Sequence, residues 1–172
     1  MSNDILAVFD ASLQKTQVWF NDLMAELDWQ DHPQRAYLAL RTVLHALRDR
    51  LTVEEALQLG AQLPMLIRGF YFEGWTLKGK PHKERHKAEF LAHIENAFKH
   101  DVTVKSERVA RAVFKVLAKH VSNGEIEDIK HIMPKELQDL WPEENGEEDF
   151  EHAHVDLGRG VTAFHEEAPQ HG

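Results

Sequence analysis

Histidine is the residue type with the most chemical reach in this chain, at 12 of 172 residues. One group of histidines has a spacing suited to metal binding. His82, His86, Glu89 and His93 fall at i, i+4, i+7 and i+11. At 100° per residue these positions project within about 60° of one another on a helix. A helix beginning near Pro81 would carry them as one stripe of three imidazoles and a carboxylate. Neighbouring members, such as His86 with Glu89 or Glu89 with His93, are placed to share Zn²⁺ or Ni²⁺. All four cannot reach one ion, because i to i+11 spans about 16 Å of helix. A partner helix or subunit would have to complete the set. The competing reading is a solvated stripe beside a core face of Phe90, Ile94 and Ala97. His152, His154, His165 and His171 near the C-terminus are expected to chelate only weakly in their acidic context.

Other chemistry is sparse. Cys is absent, which removes disulfides, zinc ribbons, iron–sulfur clusters and any thiol nucleophile. The four serines, Ser2, Ser12, Ser106 and Ser122, all stand near expected helix starts, and none lies in a Gly-x-Ser-x-Gly elbow. Gly158-Arg159-Gly160-Val161-Thr162-Ala163 matches a dinucleotide-binding pattern by letters only, since no strand precedes it. No catalytic residues emerge, and the balance is against an enzyme.

Charge divides the chain. The formal net charge is −9. Residues 143–172 hold nine acids against Arg159, which is −8 of that −9 and leaves −1 for residues 1–142. Residues 143–172 read as a solvated acidic tail, too poor in apolar residues to offset their ordering entropy. The acidity argues against nucleic-acid binding through phosphate neutralisation. Lys78, Lys80, Lys83, Arg85 and Lys87 form the one basic run, opposed only by Glu84. No stretch approaches the ~20 apolar residues of a membrane helix, and the first residues lack the basic start of a signal peptide. A cytoplasmic location is expected. Phe72 and Trp75 fit a core face less easily than Phe70 and Tyr71. With Lys78 and Lys80 they make a candidate interaction patch.

The elements that would position these residues are all helical. A shift of 70 residues aligns the chain on itself without a gap. Phe20 meets Phe90, Asp31 meets Asp101, Arg41 meets Arg111, Val43 meets Val113, Leu47 meets Leu117 and Pro64 meets Pro134. Thr52-Val53-Glu54-Glu55 and Ser122-Asn123-Gly124-Glu125 are capping boxes at the same offset. Pro64 and Pro134 suit a first helical turn. Tyr37, Leu40, Val43, Leu44, Leu47 and Leu51 recur at helical spacing, as do Ala110, Val113, Phe114, Leu117 and Val121. No strand-length alternation appears. The expected fold is all-α: two pseudo-equivalent four-helix repeats, about 18–75 and 88–142, packed into one domain over residues 1–142. The expected helices are 12–29, 34–50, 53–62 and 64–73, then 83–99, 104–120, 123–131 and 134–141. A short leading helix at 3–9 is also expected.

The run Leu44-His45-Ala46-Leu47-Arg48-Asp49-Arg50-Leu51, followed by Ala61-Gln62-Leu63-Pro64-Met65-Leu66-Ile67-Arg68-Gly69-Phe70-Tyr71-Phe72-Glu73-Gly74-Trp75, carries a family resemblance. It resembles the bacterial domain of unknown function family 2267, over roughly residues 16–142. The resemblance implies an all-helical protein and brings no activity, cofactor or catalytic residue. Three functions stay open: a non-enzymatic helical interaction module with an unidentified protein partner or a second copy of itself, a metal-binding protein or metal-dependent enzyme using the His82–His93 stripe, and a small-molecule sensor binding between the repeats.

Overall fold

Thr52 Oγ1 accepts the Glu55 amide at 3.2 Å, and Ser122 Oγ accepts the Glu125 amide at 3.4 Å. Each hydroxyl satisfies one of the donors that a helix start leaves unpaired. The helices opened in this way are α3 (Val53–Gln62) and α7 (Asn123–His131). The returning half of each expected capping box is missing. Ser122 N–H donates instead to Gln62 Oε1 at 2.8 Å. Glu55 and Glu125 face the contact between α3 and α7, where Glu125 is buried.

The computed structural model describes residues 4–143. The expected acidic tail, with its four histidines and the Gly158–Ala163 match, lies outside the described residues apart from Glu143. A 3-10 helix, Ile5–Phe9, leads into α1 (Asp10–Leu27). The chain continues through α2 (Pro33–Arg50), α3, α4 (Met65–Phe72), α5 (Lys87–Ala97), α6 (Ser106–His120), α7 and α8 (Lys135–Gln138). Every element among the described residues is helical. No helix among them is long and apolar enough to cross a membrane.

The core forms where the 3.6-residue period predicts it. Leu40, Val43, Leu44 and Leu47 of α2 and Ala110, Val113, Phe114 and Leu117 of α6 are fully buried. Burial of each such large side chain is worth roughly 1.5–3 kcal/mol. α1 and α5 each pack on both α2 and α6, which makes a four-helix heart. α3 and α4 pack on each other, and α7 rests on α3 and α6. Trp141 stacks on Phe114 with ring centroids 4.2 Å apart and closes the far end. Tyr37, counted in the apolar period of α2, is 44% exposed and meets the Phe70 ring edge-on.

The largest departure from expectation is the start of α5, which falls at Lys87 rather than residue 83. His86 is extended, with φ −105° and ψ 141°. Glu89 Oε2 accepts the amides of Arg85 at 3.1 Å and His86 at 3.4 Å. The glutamate thereby anchors the first turn and sets where the helix begins. His82 and His86 precede the helix, so the expected single-helix stripe does not form.

Candidate metal centre

Arg41, His45 and Asp49 stand at i, i+4 and i+8 on α2 and so share one face. The segment between α4 and α5 folds back over this face. Arg48 holds its beginning: the buried guanidinium donates to Tyr71 O at 2.6 Å and Glu73 O at 3.0 Å. That arrangement satisfies carbonyls at the end of α4, where a helix lacks internal donors. Further along, His82 N–H donates to Asp49 O at 2.8 Å. Lys80 Nζ reaches Asp49 Oδ2 at 2.9 Å, and Arg50 Nη1 donates to Glu84 O at 2.5 Å. Residues 80–84 are thus fixed to the last turns of α2 by main-chain and charged contacts.

This fixation brings His82 and Glu84 to His93 on α5. One possible ligand atom from each lies within 4.8 Å of the other two. His93 Nε2 is 2.6 Å from Glu84 Oε1. Glu84 Oε2 is buried without a hydrogen-bond partner among the described residues. His82 Nε2 lies 2.9 Å from Lys80 Nζ, and because an ammonium only donates, this nitrogen is the acceptor, and an ion bound there would displace the lysine. Two imidazoles and a carboxylate suit Zn²⁺ and related divalent ions. Ligands at about 2.0–2.1 Å from a tetrahedral ion lie roughly 3.4 Å apart, so small side-chain rotations bring this set to bonding distance.

The other two members of the expected stripe lie elsewhere. His86 Nδ1 is 3.2 Å from Glu136 Oε1, and Glu89 is committed to the α5 start. His82 and His93 belong to the cluster, and Glu84 takes the carboxylate position that spacing had suggested for Glu89. Sequence reasoning missed Glu84, His45 and Asp49. The regular spacing from Arg41 to Asp49 on one helix was the available signal.

A cavity of about 180 Å³ adjoins the cluster, lined by Arg41, Thr42, His45, Ala46, Asp49, His82 and His93. His45 Nε2–H donates to Phe70 O at 2.6 Å, which leaves Nδ1 as the acceptor. Burial pushes the His45 imidazole below its ordinary value, and the nearby Arg48 and Arg41 charges act in the same direction. Burial alone would raise Asp49, but hydrogen bonds from Arg48 and Lys80 hold its carboxyl below the usual range.

The expected interaction patch does not form one open surface. The Phe72 ring packs between Tyr71 and Trp75 and lies against Gly60. Trp75 is partly buried against the core, and Lys80 is 12% exposed in its pair with Asp49. Of the four patch residues, Lys78 alone is exposed.

Residues 16–140 match the family described as "Uncharacterized conserved protein (DUF2267)". The chain belongs to this family. No curated protein matches it. Arg41, His45, Asp49, His82, Glu84 and His93 all lie inside the DUF2267 segment, whereas the 3-10 helix Ile5–Phe9 precedes it.

Proposed function

We propose that this protein binds a divalent transition-metal ion, with Zn²⁺ as the reference case, through His82, Glu84 and His93. The observation that carries this reading is the convergence of three ligand atoms within 4.8 Å. The buried Glu84 Oε2 supports it, because an ion would meet the need that no donor among the described residues meets. Three protein ligands leave a position open, as in sites where a metal acts on water or a substrate. Native mass spectrometry of the full-length protein with Zn²⁺ tests the reading. One equivalent is expected in the wild type and in His86→Ala/Glu89→Gln, with loss in His82→Ala/His93→Ala. No bound zinc, or equal zinc in all three proteins, would overturn it.

A second reading is a helical interaction module that pairs with another copy of itself. Ile5, Leu6, Val8, Phe9 and Leu13 support it: they are large, apolar and exposed on the 3-10 helix and the start of α1. The expected outcome is a concentration-dependent dimer by sedimentation that Leu6→Asp/Phe9→Asp converts to monomer. A wild-type monomer at all concentrations would count against it. The same reading treats the domain as two four-helix repeats at an offset of 70. Its support is the paired caps Thr52 and Ser122, and the prolines Pro64 and Pro134 that precede α4 and α8.

A further inference from the structure

The cavity beside the metal cluster has a composition of its own: Arg41 is held there by one exposed ion pair, and His45 keeps Nδ1 as an acceptor. We propose that it binds a small oxyanion, a phosphate or a carboxylate, held between the metal ion and the Arg41 guanidinium. This rests on the metal reading above and adds a ligand class to it.

The space is adequate. At about 180 Å³ the cavity far exceeds the ~30 Å³ that one water occupies in the liquid. His82 and His93 are both cluster members and part of its lining, so an open coordination position borders the cavity.

The charges are arranged for an anion. Asp49, the one acid in the lining, is already paired with Arg48 and Lys80, each at 2.9 Å. Among the described residues the acid paired with Arg41 is Glu73, at 3.5 Å, and Glu73 is 60% exposed. A pair of that kind contributes little and gives way easily to a better partner. The arginine seventy residues later behaves differently. Arg111 is held by Glu107 at 2.7 Å and by Asp139 Oδ2 at 3.0 Å. The positions seventy residues before those two acids carry Tyr37 and Gly69, neither of which has a carboxylate to pair with the arginine. Arg41 therefore retains its planar fork of donors, which suits two oxygens of a phosphate or carboxylate.

His45 adds discrimination between the two oxyanions. Its Nε2–H is spent on Phe70 O, so Nδ1 can only accept. A hydrogen phosphate offers an O–H to that nitrogen, whereas a carboxylate offers none. The Thr42 hydroxyl, also in the lining, can serve either ligand. Phosphate is therefore expected to bind more tightly than acetate.

Full-length protein loaded with Co²⁺ tests this, because the visible spectrum of the ion reports its coordination. In anion-free buffer, Co²⁺ bands that are lost in His82→Ala/His93→Ala establish the metal site. Inorganic phosphate and, separately, acetate are then titrated to about 10 mM. The expected result is a saturable spectral shift, tighter for phosphate, weakened roughly tenfold or more in Arg41→Gln with Co²⁺ binding and thermal unfolding unchanged. Bound Co²⁺ with a spectrum blind to both anions, or an Arg41→Gln response equal to wild type, overturns the oxyanion proposal alone. A response to acetate as strong as to phosphate overturns the role given to His45. Failure to bind Co²⁺ overturns the metal reading and this proposal with it.

Discussion

Glu84 Oε1 sits 2.6 Å from His93 Nε2 across the boundary between a loop and α5. On one continuous helix, residues nine apart project about 180° from each other and cannot touch. They meet because the chain is non-helical up to His86, which is itself extended, and only then turns helical. The carboxylate that anchors the helix and the carboxylate that faces the histidines are therefore different residues. Glu84→Gln keeps the shape and one acceptor but removes the charge. It is expected to weaken Zn²⁺ binding at least about tenfold, measured by competition with a chromophoric chelator. Glu89→Gln is expected to leave zinc affinity within about twofold of wild type.

Glu125 gives a pH signature of opposite sign to the usual carboxylate. Burial raises its carboxyl above its ordinary value of 4.5, and the Glu55 and Asp128 charges push it the same way. Glu55 is raised too, by burial and then by Asp128 and Glu54. A raised acid holds its proton more tightly in the folded state than in the unfolded one. Stability therefore falls as pH rises from 4.5 through the folded-state value, and the full cost is present above it. Glu125→Gln removes that cost. At pH 7 it is expected to melt about 2–5 °C above wild type, with the gain shrinking as pH falls through the folded-state value and largely gone by about 4.5. Thermal unfolding by circular dichroism across pH 4–8 measures it.

Gly60 lies under the aromatic pair of α4. A Cβ built there would stand 2.5 Å from Phe72 Cζ and 3.0 Å from Tyr71 Cε1. Alanine gains about 1 kcal/mol of helix propensity at this interior position. The clash is expected to outweigh that gain, because the rings of Tyr71 and Trp75 hold Phe72 in place. Gly60→Ala should destabilise by about 1–3 kcal/mol in urea unfolding. Adding Phe72→Leu should recover part of the loss, which a double-mutant cycle resolves.

Arg48 is the buried cation that ties the end of α4 to α2. Its replacement by Met preserves volume but leaves Tyr71 O and Glu73 O without the donors they now have. The expected loss is about 2–4 kcal/mol by urea denaturation. Arg48→Lys should recover only part of it, because an ammonium lacks the fork that serves several acceptors at once. Both variants should also weaken metal binding, since the segment carrying His82 and Glu84 begins at this anchor.

Most helices were legible in the residues. The expected bounds 53–62 and 123–131 coincide with α3 and α7, because a hydroxyl cap and an apolar period act within a few residues. The core faces of α2 and α6 followed for the same reason. Tyr37 was misplaced since periodicity names a face without saying how far the neighbouring helix extends over it. The capping glutamates Glu55 and Glu125 were misread because a local pattern does not know that α7 packs on α3.

The amino-acid order alone determined the helices of the described residues, their caps, the break of charge after Pro142 and a surplus of histidines near residues 82–93. Those properties arise from interactions between residues no more than about four positions apart. The tertiary structure decided which carboxylate meets His93, that Arg111 is held by two acids and Arg41 by one, and that Phe72 and Lys80 are partly covered. These outcomes depend on contacts between distant segments, such as His82 N–H on Asp49 O and Arg50 on Glu84 O. No spacing along the chain encodes such contacts, because they form only once α2, α4 and α5 are packed together.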